Sequence, residues 1–317
     1  MKRNKLGTTG LDIAPIVFGG NVLGWTADEA ESFRVLDAFI DHGFDAIDTA
    51  DVYSAWADGH SGGESETVLG RWFAARPGMR DRVKLFTKVG SDMGGPGEKG
   101  LSAAWIATAV DRSLKRLQTD RIDLYFSHWP DETVTHEETL GAYSDLLAAG
   151  KIGAIGASNY DAARLQAALT AARDNDLPAY QVIQPEYNLY DRDTFEGPLQ
   201  ELCRQEEIGV VTYFSLAAGF LSGKYRRPED LQGRQRARMV EKYLTERGMR
   251  LLDRLEEIAS NNSAAPAEVA LAWIMAQPGV TAPIASATTV AQVESFARAA
   301  SLALSPADIE SLTTAGA

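Results

Sequence analysis

Cysteine is almost missing from this sequence: Cys203 is the only one in 317 residues. An intrachain disulfide and a multi-thiolate metal site are therefore impossible, and a reducing cytoplasm is the natural compartment. Histidine is also sparse. His42, His60, His128 and His136 contain no H-x-H or H-E-x-x-H pair, so the spacing a metal hydrolase would use is not there. No stretch of about 18 or more apolar residues occurs, and no apolar segment follows the basic start MKRNKLGTTGLD. Neither a membrane span nor an export signal is expected. Positive charge is in deficit, with 31 Lys and Arg against 44 Asp and Glu and a net charge of −13. That balance disfavours nucleic acid or an anionic membrane as a partner, although a local pocket can still receive an anionic small molecule.

What the chain has in quantity is alternation. Apolar, β-rich runs at 13–19, 44–50, 83–89, 121–129, 152–158, 180–186, 208–215 and 280–285 are separated by amphipathic stretches. In DEAESFRVLDAFIDHG, Phe33, Leu36, Phe39 and Ile40 share a helical face ahead of Gly43. Ser102 opens SAAWIATAVDRSLKRLQ as an N-cap, and Gly150 closes THEETLGAYSDLLAAG. Eight β/α units call for parallel pairing through right-handed crossovers and favour a closed (β/α)8 TIM barrel over an open sheet. The GTTG turn in KLGTTGLDIAP predicts a hairpin able to plug the bottom of that barrel. The gap before the eighth run holds the charged segment KYRRPEDLQGRQRARMVEKY, an insertion rather than a tether, so residues 1–317 read as one domain.

Chemistry on such a barrel gathers where the strands end. The second run ends in Asp48 with Tyr53 in its loop, the third in Lys88 and the fourth in His128. Each has an ordinary structural use, as a cap, a wall residue, a surface lysine or a core histidine. Together they form a chemical set: an ammonium beside a phenol favours the phenolate, a carboxylate fixes the ammonium, and an imidazole orients a carbonyl oxygen.

The stretches FDAIDTADVY, LFTKVG, RSLKRLQTDRIDLYFSHWPD, GKIGAIGASNY and TYFSLAAGFLSGKY resemble the aldo-keto reductases over almost the whole chain. The resemblance implies Asp48, Tyr53, Lys88 and His128 as a catalytic tetrad, with Tyr53 as acid in carbonyl reduction and base in alcohol oxidation. It implies a nicotinamide cofactor, NADP(H) with NAD(H) not excluded, and a small-molecule carbonyl substrate. Ser158, Asn159 and Gln184 would take the carboxamide, and Tyr213 would stack on the ring. Ser215, Leu216, Gly219 and Lys224 would follow the pyrophosphate, with Gly20 and Asn21 nearby.

At the adenosine end, SATTVAQVESF leaves Ser286, Thr288, Thr289 and Gln292, but it departs from the family pattern by lacking an arginine and by carrying Ser295-Phe296 in place of Glu-Asn. Arg226 and Arg227 of the insertion are then candidate partners for a 2′-phosphate.

Trp25, Trp56 and Trp129 follow the first, second and fourth runs and suggest an aromatic substrate wall. GPGEKG at 95–100 matches G-x-G-x-x-G. Pro96 and the gap after Val89 remove the tight strand-to-helix turn of a dinucleotide fingerprint, so it reads as a flexible loop over the mouth. Two other functions stay open: a nicotinamide-binding regulatory subunit with slow turnover, and a Schiff-base aldolase using Lys88. Oligomeric state is not legible.

Overall fold

Parallel neighbours need a crossover, and in this chain a helix supplies every one. The computed structural model describes residues 1–317. A hairpin of β1 (Asn4–Lys5) and β2 (Asp12–Ile13) comes first. Eight parallel strands follow: β3 (Val17–Gly19), β4 (Ala46–Asp48), β5 (Lys84–Val89), β6 (Leu124–Ser127), β7 (Ile155–Ser158), β8 (Val182–Gln184), β9 (Gly209–Thr212) and β10 (Ala282–Ala285). They pair in chain order, and β10 returns to β3, which closes the (β/α)8 barrel.

The first apolar run is not one strand. Ile13 pairs with Asn4 in the hairpin and Val17 pairs with Ala46 in the barrel. Pro15 lies between them and has no N–H to give a ladder, so the run divides there.

The pleat sorts side chains into two cores. Val17, Ala46, Phe86, Leu124, Phe126, Ala154, Val182, Val211, Ala282 and Ile284 fill the barrel, and Leu6 and Ile13 of the hairpin join them from below. Gly156 makes room for this layer, since a Cβ there would lie 2.5 Å from the Phe126 ring. Beneath the barrel Asp45 ties hairpin to sheet, accepting the Ala14 N–H at 2.9 Å and pairing with Arg3 and Lys84. The larger core lies between the barrel and its helices.

Helix ends obey their local signals. Asp28 caps Glu29–Asp41, Ser102 caps Ala103–Leu117, and Gly43 and Gly150 follow their helices in the left-handed region, at φ +88° and +71°. The first helix buries Val35 with Leu36, Phe39 and Ile40, whereas Phe33 is only partly covered beneath Arg76. The insertion after β9 folds into short turns at Ala217–Ser222 and Pro228–Leu231 and a helix at Ala237–Glu241, ahead of helices Glu246–Asn261 and Pro266–Met275. Loop 90–102 is a bonded turn, with the Met93 N–H on Glu98 O, the Gly100 N–H on Gly90 O and Glu98 paired to Arg112.

Helix Glu64–Ala75 meets helix Ala103–Leu117 at Gly70, where an added Cβ would lie 2.1 Å from the Arg116 carbonyl oxygen. Alanine gains about 1 kcal/mol of helix propensity over glycine, but overpacking against backbone costs about 1–3 kcal/mol. The clash should win. Gly70→Ala is expected to lower the urea midpoint, and an unchanged or higher midpoint would contradict this packing.

Candidate active site

The same alternation that fills the barrel builds its mouth. Two residues beyond the inward Ala46, Phe86, Phe126 and Val182 come Asp48, Lys88, His128 and Gln184; beyond Val211 and Ile284 come Tyr213 and Ser286. A period of two therefore keeps each pointing inward, now above the apolar layer. Gly19 allows the ring to close tightly, because a Cβ there would be 2.5 Å from Ser286 Oγ.

Lys88 is 0% exposed, and its three N–H donors are all engaged. They reach Asp48 Oδ2 at 2.6 Å, the Thr49 carbonyl at 2.8 Å and the Tyr53 hydroxyl at 2.9 Å. Asp48 is held in turn by the Gln184 side-chain amide, whose Nε2 donates to Oδ1 at 2.9 Å. The Tyr53 hydroxyl also lies 3.4 Å from Asp48 Oδ2, and its ring packs edge-on to the His128 ring with centroids 6.0 Å apart.

The expected lowering of the phenol's proton affinity by Lys88 is reversed. Burial, and after it the Asp48 charge, hold Tyr53 well above the usual phenol range, so it is a neutral hydroxyl near pH 7. Burial likewise lowers Lys88, against the pull of Asp48. His128 is held well below its ordinary value by burial and then by Lys88, so its imidazole is neutral.

The positions expected to bind a cofactor surround this centre. Ser158 Oγ donates to the Gln184 carbonyl at 2.8 Å. Asn159, at φ +62°, donates Nδ2 to the His128 carbonyl at 2.8 Å and accepts the Tyr213 hydroxyl at 2.7 Å. Beyond β9, Ala217, Ala218 and Gly219 are all left-handed, in a tight turn where the Ala217 N–H donates to the Phe214 carbonyl at 2.7 Å and the Gly219 N–H to the Leu216 carbonyl at 2.8 Å. Lys224 has no carboxylate partner, and its Nζ lies 3.6 Å from where a Gly219 Cβ would sit. Asn21 and Ser286 meet across the β3–β10 seam at 2.7 Å.

Other positions turn inward on their own elements. Ser215 donates to Thr212 O, Thr289 caps helix Val290–Ser301, and Gln292 accepts the Thr288 N–H at 2.7 Å. Arg226 is taken by Asp253 and Glu256, and Arg227 by Asp230, so the two arginines considered for a 2′-phosphate are occupied.

Comparison with known proteins agrees with this geometry. The model of the Aldo/keto reductase family matches residues 15–317. The chain belongs to that family. It is 32% identical to an uncharacterized oxidoreductase, YrpG, of Bacillus subtilis over 310 residues, 96% of this chain and 92% of that one. It is 31% identical to the aldo-keto reductase YhdN of the same organism, covering 99% and 93%. A probable voltage-gated potassium channel subunit beta of Arabidopsis thaliana is 30% identical, with 93% and 89% covered.

In this aldo/keto reductase the three expected tryptophans do flank the site. Trp25 and Trp56 meet edge-on at 5.5 Å, Trp56 lies 5.9 Å from the Tyr53 ring, and Trp129 stacks on His128 at 5.9 Å. Sequence reasoning missed Ser91, whose Oγ is 3.1 Å from His128 Nδ1. It also missed Glu66 and Arg116, paired at 2.6 Å behind Lys88, with Thr87 Oγ1 donating to Glu66 at 2.6 Å. Glu66 shares the buried helical stripe of Leu69, Gly70 and Phe73, and an acid on such a stripe was the available signal.

Because His128 resists protonation in the folded chain, acid must destabilise the reductase as pH falls below about 6.5, where an unfolded histidine takes a proton. His128→Asn should shrink the loss of melting temperature between pH 7 and pH 5. Parallel wild-type and variant curves would contradict a neutral, buried imidazole.

Proposed function

We propose that this oxidoreductase reduces aldehyde or ketone carbonyls to alcohols with NADPH in preference to NADH. The observation that carries the reading is the neutral Tyr53 hydroxyl at the mouth, held 2.9 Å from a buried ammonium that is itself fixed by Asp48 at 2.6 Å. A hydroxyl so placed is a general acid with its proton ready.

The substrate oxygen lies between Tyr53 and His128. Ser91 Oγ lies 3.1 Å from His128 Nδ1, and in the tautomer where Ser91 donates there, Nε2 carries the N–H that orients this oxygen. When bound, the nicotinamide supplies hydride to the carbonyl carbon. Tyr53 gives its proton to the oxygen on which charge develops, and Lys88 stabilises the phenolate left behind. In oxidation the same phenolate receives the alcohol proton.

Ser158, Asn159 and Gln184 would hold the carboxamide, with Gln184 Oε1 still free to accept once Nε2 is on Asp48. Tyr213 would flank the ring. Gly219, whose missing side chain permits close approach, and Lys224 beside it suit a pyrophosphate, with Leu216 nearby and Gly20, Asn21, Ser286, Thr288 and Gln292 toward the adenosine. Arg236, without a carboxylate partner and 5.6 Å over the Trp25 ring, offers a second cation at the mouth despite the net charge of −13.

Trp56 and Trp129 are 48% and 50% exposed, unusual for tryptophan, and favour flat, apolar carbonyl compounds. The aldolase alternative loses ground because the nitrogen of Lys88 is fully covered and hydrogen-bonded. A binding subunit, suggested by the channel-subunit relative, would retain nicotinamide binding without appreciable turnover.

Tyr53→Phe should bind NADPH as the wild type does, by fluorescence titration, yet lose about 10²–10⁴-fold in kcat toward aromatic aldehydes followed at 340 nm. Full activity in that variant removes Tyr53 as the acid. Tight NADPH binding with no carbonyl turned over by the wild type favours the binding-subunit reading.

A further inference from the structure

Asp51 stands between Asp48 and Tyr53 in sequence, yet its side chain lies on the other side of the barrel wall. It is 1% exposed, and neither carboxyl oxygen has a hydrogen-bond partner, although the Val52 N–H lies close by. Its own N–H donates to the Lys88 carbonyl at 3.4 Å, which joins the loop to the strand carrying Lys88. The charged and titratable groups facing it come from every element packed there: Lys88 on β5, Tyr125 on β6, and Glu66, Arg116 and Tyr143 on three surrounding helices, besides Tyr53 in its own loop. The Tyr125 hydroxyl is likewise unpartnered. Arg116, the nearby cation on the helix side, is already bound by Glu66 at 2.6 Å.

We propose that Asp51 is a positioning residue for the Lys88–Tyr53 pair, a buried carboxyl group whose charge state sets how firmly those two groups keep their protons. The proposal rests on the reductase reading above. An unpaired carboxylate away from water is costly, and the two cations facing it are already paired, Arg116 with Glu66 and Lys88 with Asp48. Burial, followed by the Glu66 charge, pushes Asp51 up to about 8, against the opposing charges of Arg116 and Lys88. Near neutrality it is therefore a carboxylic acid. Once ionised at higher pH, it adds negative charge beside Lys88 and Tyr53 and raises the proton affinity of both.

Asp51→Asn copies the neutral acid and cannot ionise. At pH 6.5 its kcat/KM for carbonyl reduction should lie within about two-fold of the wild type. In alkali, the fall of reduction and the rise of alcohol oxidation should both move to lower pH, by about half a unit or more. A merely structural role would lower both activities without moving the two limbs together. Superimposable pH profiles overturn the proposal.

Thermal unfolding tests the proton itself without turnover. With a folded value near 8 against about 4 unfolded, the native state binds the extra proton between them. This group's contribution to wild-type stability therefore declines as pH rises through that window and levels off above it. The melting-temperature advantage of Asp51→Asn should grow from pH 6 to pH 9, and a constant difference overturns the proposal whether or not a carbonyl is reduced. Should the asparagine variant not fold, Asp51→Ser enters the same comparison. A growing advantage alongside no turnover by any form would instead count against the reductase reading.

Discussion

A lysine and an aspartate buried together, Lys88 and Asp48, are the constraint around which this molecule is arranged. Removing both from water carries a desolvation cost that Coulomb attraction alone need not repay. The site compensates with hydrogen bonds: the Thr49 carbonyl and Tyr53 hydroxyl complete the ammonium's contacts, and the Gln184 amide takes the second carboxylate oxygen. Each of those groups is fixed by what it satisfies. Tyr53 is therefore held at the mouth by the same lysine that Asp48 fixes, and Gln184 links the second barrel strand to the sixth.

Much of this is written in the pleat. An alternating strand that points Phe86 or Phe126 into the barrel must point Lys88 or His128 the same way two residues later, so strand-end polar residues could be gathered before any coordinates. Helix caps such as Ser102, and the hairpin carried by the GTTG turn, were equally local. The first strand was read too long because Ile13, Ile16 and Val17 are all apolar, while the backbone consequence of Pro15 is what divides them.

What depended on packing was harder to read. The lysine and aspartate beside Tyr53 were visible as residue types, but the depth of burial that makes its proton harder to remove was not. Arg226 and Arg227 looked available for a phosphate until helix Glu246–Asn261 presented Asp253 and Glu256 to one and the insertion's own Asp230 occupied the other. Ser91, Glu66 and Arg116 reach the centre only because loop 90–102 and two helices close on it, contacts with no fixed spacing in the sequence. The family pattern carried much of the cofactor assignment, yet Thr289 and Gln292 are also plain capping residues here.

If Lys88 and Asp48 act as one group, their losses cannot add. The most direct test is the single-turnover rate of NADPH oxidation with an aromatic aldehyde in Asp48→Asn, Lys88→Met and the double variant. Cooperation predicts that the double variant is within about three-fold of the slower single variant, as for residues working as a unit. A double variant slowed by the product of the two separate losses would contradict it.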